Sequence, residues 1–203
     1  MQTKIKIGEM IMDINHENVK QMESENSDSI LCNVARAVGY VSKISWRTVK
    51  FTINREPKPS QRPRLSGYRI YVPGAAKNTA FFSREVAPKL GGLWIDKPCK
   101  MKIDLFVHTP TSFTKTQKML AEMKIIRPWT RCGDLDNFEK SIMDSIVGNK
   151  KRGHKGVMVD DCIVCDLESH KYYSKTPRTE VTITFMDKIP KELEKSMKLY
   201  KGI

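Results

Sequence analysis

The spacing of apolar residues changes period several times along this chain, and the changes divide it into elements. From Trp46 the residues Val49, Phe51 and Ile53 alternate with Lys50, Thr52 and Asn54, the two-residue period of a strand with one buried face. The alternation returns at Met101, Ile103, Leu105 and Val107, which predicts a strand over about 100–108. Further strands are expected at 68–72, 162–173 and 179–185. Spacings of three and four predict helices over 75–90, 114–124 and 135–147, the last with Leu135, Phe138, Ile142 and Ile146 on one face. Between the first strands, three prolines in Pro57–Arg64 fix φ and remove donors, so this segment is a stiff basic loop. Strand and helix mix without a regular βα repeat. The expected class is α+β, a mixed β-sheet packed with helices, over residues 46–187.

Two flanking segments fall outside that pattern. Residues 1–45 read as an N-terminal extension, partly helical, where Ile30, Val34 and Val38 sit at helical spacing behind a Ser27 or Asp28 cap. Residues 188–203 read as a basic amphipathic tail with Leu193, Met197 and Tyr200 on one side.

Charge narrows the function. Lys and Arg number 36 against 23 Asp and Glu, a net charge of +13, which points to nucleic acid, with a merely solvated basic surface as the alternative. No apolar run approaches the length of a membrane span and the first residues lack a signal-peptide core, so a cytosolic protein without a membrane partner is expected. The five cysteines, an odd number, fit reduced thiols in that compartment. Cys162 and Cys165 have C-x-x-C spacing, but a second such pair and an H-x₃-H are missing, and the two fall on opposite faces of a predicted strand. That argues against zinc. Phosphate-binding glycine loops are absent too, so nucleotide hydrolysis has no support.

Against this basic background the acids gather in one region: Asp134-Leu135-Asp136-Asn137-Phe138-Glu139-Lys140, then Asp160-Asp161. On a helix, Asp136, Lys140 and Asp144 recur every four residues and line one face. Structural roles compete: Asp136 and Glu139 fit a helix-start box, and Asp136 with Lys140 fits an ordinary ion pair. A calcium loop is excluded, because Phe138 and Glu139 stand where a ligand and a glycine are required. In a strand Asp160 and Asp161 would face opposite ways, so only one joins a shared site easily. A basic molecule that concentrates acid in one place suits a divalent cation held against a polyanion. His108 and His154 have no motif partner, and Trp46, Trp94 and Trp129 are expected in the core or an interface.

In combination these pieces carry a resemblance. The D-L-D-N-x-x-K of Asp134, Leu135, Asp136, Asn137 and Lys140, then Asp144, the Asp160-Asp161 pair, and Ile163, Val164, Asp166 and Lys171 beyond it are similar to RusA-like Holliday junction resolvases. So are Pro57-Lys58-Pro59, Arg62-Pro63-Arg64 and Tyr71-Val72-Pro73, and the likeness spans about 47–186. It implies a homodimeric crossover junction endodeoxyribonuclease that needs Mg²⁺, with Mn²⁺ as a substitute, and nicks four-way DNA symmetrically in recombination and repair. It also implies a bacterial cytosol or that of a virus-infected host. By the same resemblance Asp134, Asp136 and Asp161 are the metal-binding and catalytic carboxylates, Asp160 is a further ligand, and Lys140 is the catalytic lysine. Lys58, Arg62, Arg64, Arg131, Lys150, Lys151, Arg152 and Lys171 are the expected DNA contacts.

Two departures stand out. Arg131-Cys132-Gly133 replaces the basic residue or proline that usually precedes the first aspartate, and residues 148–156 form an enlarged basic loop. The alternatives are a nuclease for flaps or forks and a non-catalytic DNA-binding protein.

Overall fold

The computed structural model describes residues 3–7, 10–14, 39, 43–129, 132–149 and 153–191. The chain divides into two compact units, one of Met1–Trp46 with Met186–Leu199 and the other of Arg47–Phe185 with Tyr200–Ile203. In the first, β1 (Thr3–Ile7) and β2 (Met10–Ile14) pair antiparallel, Thr3 opposite Ile14. These strands were not expected, although Lys4-Ile5-Lys6-Ile7 already alternates. The helix expected around Ile30 to Val38 and most of the amphipathic tail lie outside the described residues.

The second unit is α+β. Its elements in order are β3 (Ser45–Ile53), β4 (Arg64–Ser66), β5 (Arg69–Tyr71), α1 (Ala75–Phe81), β6 (Cys99–His108), α2 (Lys115–Glu122), α3 (Leu135–Ile146), β7 (Val164–Ser174) and β8 (Arg178–Lys188). Four strands form a mixed sheet in the order β3-β8-β6-β7. β6 runs antiparallel to β8 and parallel to β7. A parallel pair needs a crossover, and residues 109–163 supply it, carrying α2 and α3. The short connection 175–177 then takes the chain round to the far side of β6.

The two-residue period accounts for the core. Met101, Ile103, Leu105 and Val107 of β6 and Val181, Ile183 and Phe185 of β8 are buried on one face, and Phe138, Ile142 and Ile146 of α3 join the same cluster. Burying each such side chain stabilises the fold by about 1.5–3 kcal/mol. Small polar residues in the helix are satisfied: Asn78 Nδ2 of α1 donates to Ser141 Oγ at 2.9 Å, and Ser145 Oγ donates to the Ile142 carbonyl at 2.7 Å. Thr114 and Gln117 form a reciprocal capping box at the start of α2, each side chain accepting from the other's backbone N–H. Thr114→Ala is expected to lower stability by about 1 kcal/mol, read as a lower urea midpoint.

Three expectations need correction. The strand predicted over 68–72 is a hairpin, β4 paired with β5, with Tyr68 in its turn beside Gly67 at φ +59. The helix predicted over 75–90 ends at Phe81 and continues as a wide turn, Phe82–Val86, then a tight one, Ala87–Leu90, closed by Gly91 at φ 59. Pro88, without an N–H, cannot continue the α-helical ladder. The strand predicted from Cys162 begins at Val164, because Asp161–Ile163 forms one turn of 3₁₀ helix. Cys162 and Cys165 therefore do not share a strand, and both are exposed free thiols. No described helix is long and apolar enough to cross a membrane.

Candidate metal and nucleic-acid site

Asp134 occupies the N-cap position of α3 with extended backbone, φ −77 and ψ 149, yet its side chain makes no capping hydrogen bond. Asp136 lies exposed in the first turn, and among the described residues it forms no ion pair with Lys140 or any other cation. Glu139 does not reach back to the helix start; its Oε1 accepts from Ser169 Oγ of β7. Helix-start box and local ion pair, the two structural roles open to these acids, are both unused. The carboxylates of Asp134 and Asp136 face water.

The approach to the helix is tightly built. Gly133 has φ 90, and a Cβ there would stand 2.8 Å from Pro59 Cγ. Ser60 N–H donates to the Asn137 carbonyl at 2.8 Å, so the proline-rich loop is fastened to the first turn of α3. Lys171, expected among the DNA contacts, donates from Nζ to the Gly133 carbonyl at 2.9 Å and lies 3.5 Å from Cys132 Sγ. It braces the loop that precedes Asp134. The departure at Gly133 thus has a steric reason, since only glycine leaves room for Pro59.

Further along α3, about 12 Å from Asp136 by helical rise, Asp144 meets the second acidic segment. Burial pushes its carboxyl above the usual range, partly offset by Lys140. Asp161 is raised as well, first by burial, then by a hydrogen bond with Asp160 and by the charges of Asp160 and Asp144. Asp160 moves the other way, because the Cys162 backbone N–H donates to its Oδ1 at 2.9 Å and holds the carboxyl down. Asp144 therefore links Lys140 on one side to Asp161 on the other, and Asp161 is linked in turn to Asp160. Asp144, which the resemblance did not assign a role, is marked in the sequence by the four-residue stripe it shares with Asp136 and Lys140.

Backbone contacts hold the second acidic segment in place. Val157 N–H donates to the Ile146 carbonyl at 2.9 Å, Gly148 N–H to the Met158 carbonyl at 2.9 Å, Ile95 N–H to the Val157 carbonyl at 2.8 Å, and Val159 N–H to the Ile95 carbonyl at 3.0 Å. Gly156 makes this possible, since a Cβ there would lie 2.2 Å from Gly148 N and 2.4 Å from the Ile146 carbonyl oxygen. Between these glycines, Asn149 and His154 exchange backbone hydrogen bonds, and His154 Nε2 donates to the Ser145 carbonyl at 2.9 Å. Burial lowers the His154 pKa.

Of the expected DNA contacts, Lys58, Arg62 and Arg64 are exposed, while Arg131, Lys150, Lys151 and Arg152 lie outside the described residues. His170 Nε2 pairs with Glu168 at 2.7 Å, and the His108 backbone N–H donates to Glu56. The tryptophans, expected in the core or an interface, are 42% exposed or more.

Among the described residues no three histidine, cysteine or acidic side chains close on one point. The acids range along one side of α3 with Lys140 between them. Their chemistry fits Mg²⁺ or Mn²⁺: the donors are carboxylate oxygens, and the adjacent Cys162 thiol is pushed up by its hydrogen bond to Asp160, which disfavours the thiolate that zinc would select.

Residues 54–184, from the end of β3 into β8, match the family Endodeoxyribonuclease RusA. The uncharacterized protein YqaN of Bacillus subtilis (strain 168) is 30% identical over 143 residues, covering 66% of this chain and 94% of that protein. The matched span holds α3, the Asp160-Asp161 turn and the strands that carry them, and the chain is a member of the RusA endodeoxyribonuclease family.

Proposed function

We propose that this protein is a Mg²⁺-dependent endonuclease that resolves four-way DNA junctions by paired symmetric nicks, acting as a homodimer in the cytosol in recombination and repair. The observation that supports it best is that Asp134 and Asp136, two exposed carboxylates at the start of α3, have no partner among the described residues, on a helix whose Asp144 raises the pKa of Asp161. Asp134, Asp136 and Asp161, which among the described residues do not close on one point, would converge on the ion when it binds, and Asp160, committed to the Cys162 N–H, would serve as a weaker ligand. When bound, Mg²⁺ supplies charge neutralisation at the phosphate and a more acidic water.

The chain's own groups do the rest. Lys140 stands one turn after Asp136 and is exposed, so its ammonium is available to the negative charge that builds on the phosphate during attack. Lys171 and Pro59 fix the loop from which Asp134 projects. Lys58, Arg62 and Arg64, with the basic residues of the 148–156 loop, would contact phosphates, which position the DNA and make binding fall steeply with salt.

The test incubates the purified protein with labelled four-way, three-way and linear DNA, with and without Mg²⁺. Symmetric nicking of the four-way substrate is expected, and Lys140→Ala should slow it about 10²–10³-fold with little change in binding. Cleavage confined to three-way or forked DNA would change the substrate, and tight binding without Mg²⁺-dependent cleavage would leave only a DNA-binding protein.

A further inference from the structure

Between the proline-rich loop and α1 the chain doubles back as the β4–β5 hairpin, whose apolar side chains stay largely exposed. Every residue from 61 to 71 is exposed; Leu65 is 73% exposed, Ile70 76%, and Tyr68 at the tip fully so. An isolated two-stranded ribbon is marginal in water, and clustered exposed apolar groups mark a surface that meets a partner. Register sorts the side chains. Leu65 opposes Ile70 on one face, while the pairs Arg64–Tyr71 and Ser66–Arg69 project from the other.

The partner's chemistry follows from charge. From Pro57 to Arg84 the chain has no acidic residue but carries Lys58, Arg62, Arg64, Arg69, Lys77 and Arg84. Arg62, Arg64 and Arg69 form no ion pair among the described residues. A polyanion complements this run of unpaired positive charge. The root of the hairpin is also fixed beside the acids, through Ser60 N–H on the Asn137 carbonyl and Pro59 against Gly133. At no more than about 3.5 Å per residue, Tyr68 lies within about 28 Å of Ser60, so a strand held at Asp134 and Asp136 is within the hairpin's reach.

We propose that the β4–β5 hairpin is the element that recognises the branch point. Arg64 and Arg69 hold phosphates, and Leu65, Ile70 and Tyr68 pack against base faces uncovered where strands part. Wedging apolar groups between stacked pairs costs free energy in a continuous duplex and much less where stacking is already interrupted, so the same contacts discriminate branched from linear DNA. This rests on the branched-DNA reading above.

The experiment measures binding of the full chain, in Mg²⁺-free buffer, to a four-way DNA and a linear duplex of equal length, each with 2-aminopurine beside the central position. Wild type should prefer the four-way DNA and raise its 2-aminopurine emission. A variant with Leu65→Ser, Tyr68→Ser and Ile70→Ser should lose about tenfold or more of that preference, and the emission change, with linear binding unaltered. Tyr68→Ala alone should lose part of both. Arg64→Gln with Arg69→Gln should instead weaken both DNAs alike and reduce the salt slope by about 2. A triple variant that keeps the preference and the emission change overturns the hairpin's role while leaving the nuclease reading intact. So does loss of wild-type self-association in the triple variant on sedimentation, which would make the face a contact between copies. A wild-type chain without any preference for branched DNA overturns both.

Discussion

Asp161→Asn and Asp136→Asn are each expected to reduce Mg²⁺-dependent cleavage of four-way DNA about 10³-fold, with binding in Mg²⁺-free buffer within about threefold of wild type. The magnitude follows from losing a carboxylate that anchors several kcal/mol of transition-state charge stabilisation, at about 1.4 kcal/mol per tenfold. The two variants should differ in one respect. Asp161 sits among like charges, and Asp160 and Asp144 both oppose its ionisation, so removing its charge relieves repulsion. Asp161→Asn should therefore raise the thermal midpoint in Mg²⁺-free buffer, whereas exposed Asp136, without a charged partner among the described residues, should leave it unchanged. Cleavage by either variant at the wild-type rate would remove the assignment of these acids.

Gly156→Ala is expected to cost roughly 3 kcal/mol of stability, the largest effect of any single methyl addition in the 148–156 loop. The added Cβ would meet backbone, 2.2 Å from Gly148 N and 2.4 Å from the Ile146 carbonyl oxygen, and backbone there is fixed by the bonds of 157–159 to Ile95 and to the end of α3. Relief requires displacing the segment that leads into Asp160 and Asp161, so activity should fall with stability. Gly153→Ala is the control. Gly153 has φ 67 but open space around it, so its cost is only the left-handed backbone, about 1–2 kcal/mol. Equal urea midpoints for Gly156→Ala and wild type would show that the close approach is not needed.

The parts of the fold legible in the sequence are those where a long run repeats one period. β6 and β8 alternate over ten or more residues, and α3 keeps its apolar face for three turns, so each declares its inner side. The hairpin at Arg64–Tyr71 does not, because strands of three residues are shorter than a period test can resolve and its turn is Gly67-Tyr68 rather than Asn-Gly. The turn at Asp161–Ile163 hides for a similar reason: Ile163 and Val164 read as strand, and the Asp160 hydrogen bond that tightens the chain is invisible to periodicity. In the site, the residue types and their spacing were legible, but their engagement was not. Whether Asp134 capped its helix, or Lys171 turned toward DNA or toward Gly133, depends on atoms brought in from distant parts of the chain. Gly133 and Gly156 are the sharpest cases, since what requires them is Pro59 for one and Gly148 with Ile146 for the other.

The parallel pairing of β6 with β7 also sets an order of assembly. Asp134, Asp136, Lys140, Asp144, Asp160 and Asp161 all lie inside the long crossover between these strands, so α3 has a sheet to settle on only after the downstream strand has returned to register with His108 opposite Ser174. Closing so long a loop is slow compared with forming a helix. While β7 is unfinished, these acids sit on an undocked helix, and the acidic stripe takes its place only once the downstream strand has paired with β6.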